Sequence, residues 1–581
     1  MEENKYSSWK IIKRLLSYYN KKKYLLLSSC ILILFSIITE ISSPIILSNF
    51  IANIIKNHTV KLTSILYLAI SFITLQISSS LLCYFYTIQF NSMSTNIIKK
   101  IRIKILTIAL QQPMEFFDKK PISSVITKIT NDTESIKEFY DTILSSLIKN
   151  IVLFSMILIT MFTLEWHMAL ITSIITPILI LIIRTHKYHS KPSIQKIKSY
   201  ASQLNTKINE IISGITVIQQ FNQEKKFIKK IATLNKKIYF HKMQILKIDG
   251  ILLRPLLNLI SAILLSCIVM TLKLFPIVTL KISVLHAFIN YLRYLNEPLV
   301  IITNQQSILQ QVIVSSQRVF KFIDLPIQKY GEDTQLLQSG EIKIKNIYFS
   351  YPNTKKNILE KININIPDKS FIALVGKTGS GKTTLSNLIS GYYKTTKGKI
   401  YLDKKPINTL SNKTLRKSIS IVQQEPTIIC DSLIKNISLG RNIKKKDIIK
   451  VIDKSQLKTL VNTLPKGYKS VLGKNGESLS QGQKQLIGIA RILVSNPKIL
   501  IFDEATASID SESEQKIQKI LSEIKKKSTV IVIAHRLSTV IDADMIIVLN
   551  KGKIIEKGKH KKLLKNKNLY YKMYKNQLKN K

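Results

Sequence analysis

The sequence predicts two folds in one chain, an all-α transmembrane domain of six helices followed by an α/β P-loop domain. Three observations predict it. Apolar residues crowd the first half in runs near membrane-spanning length, and the second half carries short apolar strands between amphipathic stretches. One of those strands runs straight into a GxxxxGK[ST] loop. At 581 residues the chain also exceeds what a single core usually holds. The expected divisions are an interfacial amphipathic elbow over 1–22, a transmembrane domain over 23–325, a linker over 326–340 and the P-loop domain over 341–575.

From the N-terminus, Trp9–Tyr19 places apolar residues at helical spacing beside Lys10, Lys13 and Arg14, which suits a helix lying in the membrane interface. Six stretches then meet or approach the length of a span: Tyr24–Ile54, Ser64–Phe90, Tyr140–Leu164, Met168–Ile183, Ile251–Leu274 and Ile277–Ile302. The first is too long for a cleaved signal, and no small-x-small site follows it. Asn91–Glu138 and Thr185–Asp249 are long and rich in Lys and Arg, whereas the other linkers are short. Positive charge marks the cytosolic side, so the chain is expected in the cell membrane, multi-pass, with both termini and the P-loop domain cytosolic.

Each long basic segment contains a patch that breaks the helical pattern, Pro113–Asp132 with two prolines and Glu210–Glu224 with a glycine. These are expected to be docking elements that carry motion from the P-loop domain to the spans. Polar residues inside spans are costly and often functional. Glu40 with Pro44, Arg254 with Asn258, and the trio Asn290, Arg293 and Glu297 are the candidates. The trio shares one helical face and is expected either to line a polar pathway or to pair internally. Cys30, Cys83, Cys267 and Cys430 show no metal or CxxC spacing and read as small buried hydrophobes. The net charge of +52 comes from lysines scattered through both halves without aromatic interleaving. Richness in Ile, Lys and Asn fits drift in an AT-rich genome, so nucleic acid is not expected as a partner, whereas anionic membrane lipid suits the basic cytosolic face.

The second half opens with alternating residues over Glu341–Phe349. Phe371–Val375 is a wholly apolar strand, followed at once by Gly376, Lys377, Thr378, Gly379, Ser380, Gly381, Lys382 and Thr383, and by a helix from Thr384 to Ser390. Glycines let the backbone amides turn inward around phosphates, and the helix N-terminus favours negative charge. ATP with Mg²⁺ is therefore the expected ligand, with Lys382 on the β- and γ-phosphates and Thr383 on the metal. A second strand, Lys498–Phe502, ends at Asp503, placed to hold hydrated Mg²⁺, and at Glu504, placed to polarise the attacking water. A third, Thr529–Ala534, ends at His535, where a γ-phosphate contact is expected.

With these residues the second half resembles the nucleotide-binding domain of an ABC transporter. Leu479-Ser480-Gln481-Gly482-Gln483 resembles the LSGGQ signature, Val422–Pro426 the Q-loop and Ala507–Asp510 the D-loop, and Tyr351 stands where an aromatic stacks on adenine. The resemblance implies that Ser480, Gly482 and Gln483 contact nucleotide across a dimer, that Thr384 follows the phosphates, and that Gln424 serves both metal and hydrolysis. The first half resembles the exporter-type transmembrane domain. AFINYLRYLNEPL, QQSILQQVIVSSQRVFKFID and LSQGQKQL look like half-transporters of the bacterial multidrug-resistance-like Mdl type. That implies an ATP-hydrolysing exporter of small amphiphilic, drug-like compounds, working as two chains. A related but distinct second half-transporter is favoured over a homodimer. Lipid or peptide export and a nucleotide-gated regulator are the alternatives. Two departures stand out: Gln481 replaces a signature glycine, and Gly473-Lys474 replaces the usual Gly-Glu before the signature, where Glu477 is a possible substitute.

Overall fold

A computed structural model of the chain describes residues 7–19, 23–57, 62–252, 254–274, 282–352, 354, 356–473, 478–503, 511–534 and 540–579. The chain divides into two compact units. The first comprises residues up to Leu110 and Ser123–Leu325, and the second comprises Gln111–Ile122 and Pro326 onward.

Among its described residues the first unit is helical apart from short turns and links, and it contains no strand. After the amphipathic helix Ser8–Ser17 come six long helices, Lys23–Asn57, Leu62–Leu110, Ser145–Leu164, Trp166–Ser213, Arg254–Leu274 and Ile282–Ile323, with Glu224–Leu252 between the fourth and fifth. The six apolar stretches fall on these helices in order, but Tyr140–Leu144 lies in the π-helical segment before the third, Ile251 and Leu252 end the Glu224–Leu252 helix, and the 277–281 part of the last lies outside the described residues. By length and composition among the described residues, Lys23–Ile51, Ile65–Leu110 and Ile122–Leu164 can cross a membrane. Several helices run well beyond their apolar runs. The 49 residues of Leu62–Leu110 extend about 73 Å at 1.5 Å per residue, more than twice a hydrocarbon core.

Helix packing follows the small-residue logic of membrane interiors. On the first long helix Ser29, Ile33, Ser36, Ile37 and Ile41 form the buried stripe, while Leu27, Ile31, Leu34 and Phe35 stay exposed on the other side. Ser29 Oγ donates to Gln89 Oε1 at 2.8 Å, and Gln76 Nε2 donates to Ser43 Oγ at 3.1 Å, joining the first two long helices.

The two patches do interrupt the helices. Pro113 precedes a short helix, Met114–Lys119, which is followed by Ile122–Thr127 and a π-helical turn, Lys128–Asp132. Gly214 ends the Trp166–Ser213 helix before the short Ile215–Gln220 turn, and a fresh helix starts at Glu224. The cysteine expectation needs correction. No disulfide joins the four, but Cys267 and Cys430 are exposed and Cys30 and Cys83 half-buried. An apolar run in a membrane helix has an outer face as well as a packed one, so apolar neighbours in sequence do not ensure burial.

The second unit is α/β. Strands β1 (Ile342–Phe349), β2 (Leu359–Ile366), β3 (Phe371–Val375), β4 (Lys397–Leu402), β5 (Lys405–Pro406), β6 (Ile419–Val422), β7 (Ile499–Asp503), β8 (Thr529–Ile533), β9 (Met545–Asn550) and β10 (Lys553–Gly558) form two sheets. One is antiparallel, in the order β2-β1-β4-β5, and the other has the order β10-β9-β3-β8-β7-β6. In the second, β9, β3, β8, β7 and β6 are parallel and β10 is antiparallel to β9. Parallel strands covered on both faces read as unbroken apolar runs. Accordingly β3 and β8 are buried at every residue. One core fills the space between the sheets around Ile342, Leu374 and Ile533. The other packs helices on the far face around Phe502, Leu486 and Val532.

Candidate functional site

The site residues leave the parallel sheet from one edge. Along β3-β8-β7-β6 the carboxyl ends lead in turn to Gly376, to the segment holding His535, to Asp503 and to Gln424. Ligands of open α/β sheets bind outside that edge. Asp503 is the last residue of β7, level with Ile533 of β8 and half-buried. Glu504, His535, Lys474, Glu477 and the D-loop residues 507–510 lie outside the described residues.

The loop after β3 turns because two glycines allow it. Gly379 and Gly381 have φ of +78° and +100°, and Gly381 is the N-cap of the Lys382–Ile389 helix. This left-handed cap starts the helix at Lys382, two residues before the expected Thr384. Gly376 is required for space: a Cβ there would sit 2.2 Å from Leu549 O and 2.7 Å from Ser380 Oγ. Lys377, Thr378, Gly379 and Thr383 are exposed, whereas Ser380, Lys382 and Thr384 are buried.

Lys382 Nζ donates to Gly376 O at 2.8 Å and to Lys377 O at 3.2 Å, so its ammonium closes the loop on itself. The buried Ser380 Oγ has no hydrogen-bond partner among the described residues. Such an orphan hydroxyl in a ring of amides, with a buried ammonium at its base, is a built anion cradle. Thr383, Gln424 and Asp503 offer oxygen donors only, the set a hard cation such as Mg²⁺ takes.

Tyr351 forms one wall. Its Oη lies 3.2 Å from Thr384 Oγ1, and its ring meets Phe349 and Tyr393 edge-on, with centroids 5.0 and 5.3 Å apart. Tyr393 Oη donates to Asp118 Oδ2 at 2.5 Å, within the Gln111–Ile122 stretch that packs as part of this unit. Burial first, and then the Asp118 carboxylate, push the Tyr393 hydroxyl well above the ordinary phenol range, so it remains a donor.

Ser480 caps the helix Gln481–Ser495. Its Oγ accepts from Gln483 N at 3.2 Å, while Gln483 Oε1 accepts from Ser480 N at 2.9 Å, a reciprocal capping box. The Gln483 side chain thus has a local task beside its expected contact with nucleotide. Gly482 is buried and Ser480 exposed at the helix N-terminus. Sequence reasoning missed Gln485. Its Nε2 donates to the carbonyls of Gln423 and Gln424, fastening the Gln424 loop to the Ser480 helix. Its place one turn past Gln481, the first residue of this helix, was the available signal.

In the transmembrane unit the candidates separate. Asn290 Nδ2 donates to His286 O of its own helix at 3.0 Å. Arg293 and Glu297 are both exposed, and no ion pair joins them among the described residues. Glu40 pairs instead with Lys149 of another helix, at 3.3 Å, a residue the sequence did not single out. Asn258 is exposed, and the Arg254 side chain lies outside what is described.

A helical membrane unit joined to a P-loop cassette with its own Ser-Gln-Gly-Gln helix cap defines an ABC exporter. Residues 26–299 match the family described as "ABC transporter transmembrane region", and residues 359–507 match "ABC transporter". The chain belongs to the ABC transporter family, with the ATPase and the membrane domain in one polypeptide and ATP hydrolysis coupled to transport. It is 49% identical over 567 residues to the multidrug resistance-like ATP-binding protein MdlB of Buchnera aphidicola subsp. Acyrthosiphon pisum (strain APS), covering 98% of each chain. It is 33% identical over 502 residues to an ATP-dependent lipid A-core flippase of Syntrophus aciditrophicus (strain SB), covering 85% of this chain and 83% of the other. The fold matches a solved bacterial Atm1-family ABC exporter with ATP bound, with a TM-score of 0.79 over 96% of this chain and 98% of that one, at 23% identity.

Proposed function

We propose that this chain is one half of an ATP-hydrolysing exporter that moves amphiphilic, drug-like compounds across the cytoplasmic membrane. The observation that carries this reading is the 49% identity to a multidrug resistance-like protein along 98% of both chains. The anion cradle around Ser380 and Lys382 supplies the chemical support. The transmembrane domain spans 23–325 and the cassette 341–575, with both termini cytosolic.

The amides of Gly376 to Thr383 bind the phosphates, Lys382 turns from its loop carbonyls to the β- and γ-oxygens, and Tyr351 stacks on adenine. Thr383, Asp503 and Gln424 are the side chains to hold Mg²⁺, which when bound neutralises phosphate charge. Glu504 accepts the proton of the water that attacks the γ-phosphorus as the bond to the ADP oxygen breaks, and His535 steadies the γ-phosphate. Ser480, Gly482 and Gln483 complete the site of a second, distinct half-transporter, whose own signature completes this one. Pro113–Asp132 and Glu210–Glu224 carry the closure of the cassettes to the spans.

A lipid substrate is the second reading, favoured by the similarity to a lipid A-core flippase. The test is ATPase stimulation and vesicle uptake in proteoliposomes across a panel of drug-like amphiphiles and lipids. Stimulation and ATP-dependent uptake of the amphiphiles supports the first reading. A response to lipids alone replaces it with the second, and no response to either removes export.

A further inference from the structure

Within the transmembrane unit lies a cavity of about 330 Å³, walled by the first, second, third and sixth long helices. That volume is at the lower end of small-ligand sites. Leu153 and Ile301 give it apolar wall, and Glu40, Lys149, Asn150 and Glu297 give it polar groups. Lys149 Nζ lies 3.3 Å from Glu40 Oε2, with both side chains about two-thirds buried, so these two neutralise each other. Asn150 is buried, its amide nitrogen turned to Ser146 O and Oγ at 2.7 and 2.9 Å. Glu297 makes no ion pair among the described residues, and Arg293, one turn earlier on its helix, does not line the cavity. The lining therefore carries two carboxylates against one ammonium, and that ammonium is already engaged.

We propose that this cavity binds a monocationic amphiphile, with Glu297 as counter-ion to its charge. The Glu40–Lys149 pair forms a neutral polar wall, and Leu153 and Ile301 receive the hydrocarbon part. A carboxylate that shares a cavity with apolar wall is costly without a counter-charge, and an incoming cation removes that cost. An anion of the same shape meets two carboxylates and a lysine already held by one of them. The proposal deepens the export reading and rests on it, since it assigns the substrate's charge and its contacts.

The test uses tetraphenylphosphonium and tetraphenylborate, ions of one shape and opposite charge. Saturable binding is measured to the full chain with its partner half-transporter in lipid nanodiscs, after subtraction of binding to empty nanodiscs. Saturable binding of the cation only is expected. Glu297→Gln should weaken it by at least about tenfold, and Glu297→Asp should keep most of it. Lys149→Met should tighten it several-fold, because Glu40 then becomes a second free carboxylate. Equal binding of both ions, no saturable binding, or an unchanged affinity in Glu297→Gln overturns the proposal. If Glu297→Gln unfolds, as its melting curve reports, Lys149→Met decides: unchanged or weaker cation binding overturns it. Cation binding that depends on Glu297, without stimulated ATPase or uptake, keeps the site and removes the export reading. Uptake of neutral amphiphiles with no such binding does the reverse.

Discussion

The guanidinium of Arg14 grips the carboxylate of Asp324 with two parallel bonds, Nη1 to Oδ2 at 2.8 Å and Nη2 to Oδ1 at 2.9 Å, across 310 positions of sequence. The same guanidinium lies 4.2 Å from the centre of the Phe320 ring. One residue along, Leu15 O accepts from the buried Tyr140 Oη at 2.9 Å. The amphipathic helix is thereby fixed to the end of the last long helix, just before the chain leaves the transmembrane unit at Leu325. Arg14→Ala should destabilise the chain by about 1–2 kcal/mol, since a fork-shaped pair with a ring contact exceeds an ordinary surface pair. Arg14→Lys should recover only part of this, because an ammonium cannot form both bonds. Thermal unfolding of the detergent-solubilised chain and its two variants checks both statements.

That helix was legible in the sequence, but its anchor was not. Spacing of Ile11 and Leu15 marks a buried face locally, and both are buried. The partner Asp324 is fixed only by the tertiary packing. The cassette was more legible, because parallel strands are continuous apolar runs and the phosphate loop is contiguous: β3 is Phe371–Val375, as expected, and β7 and β8 fall within a residue of expectation. Pairings between separate elements stayed hidden, as with Glu40 and Lys149, Tyr393 and Asp118, or Gln485 and the Gln424 carbonyl. Helical periodicity put Asn290, Arg293 and Glu297 on one face, yet of these only Glu297 lines the cavity. Periodicity orders residues around an axis but does not say what that face meets.

Removing the carboxylate next to Asp503 tests the chemistry. Glu504→Gln keeps size and hydrogen bonding but cannot accept the proton of the attacking water. Turnover of ATP in proteoliposomes should fall at least about a hundredfold, in the range for loss of a general base. Equilibrium binding of ATP should survive. Near-normal turnover would assign the base elsewhere.

Tyr393 tests coupling. Its ring packs on Tyr351 beside the phosphate loop, and its hydroxyl holds Asp118 of the Gln111–Ile122 stretch. Tyr393→Phe leaves the ring contact and removes only the hydrogen bond. ATP affinity should stay within about threefold, while substrate moved per ATP hydrolysed should drop, as expected when a charge-assisted bond of about 1.5–3 kcal/mol is lost from the proposed docking element. Parallel assays of uptake and phosphate release check this. A proportional fall in both would make Tyr393 a residue of the ATP site alone.

Assembly is open to direct measurement. One chain supplies one phosphate loop, Gly376–Thr383, and one signature, Ser480–Gln483. In the sandwich that the family resemblance implies, each phosphate loop is closed by the signature of the opposite cassette. A lone chain should therefore bind ATP with its loop yet hydrolyse it slowly. Adding the product of an adjacent half-transporter gene should raise the rate at least about tenfold, since the second signature brings charge-stabilising donors to the γ-phosphate. Ser480→Ala in this chain should then impair the partner's site while leaving ATP bound at its own loop, which nucleotide trapping on each chain can separate. Full activity of the purified chain alone, growing with the square of its concentration and indifferent to the partner, would instead establish two identical sites. Lys382, Asp503 and Ser480 are all present for that arrangement.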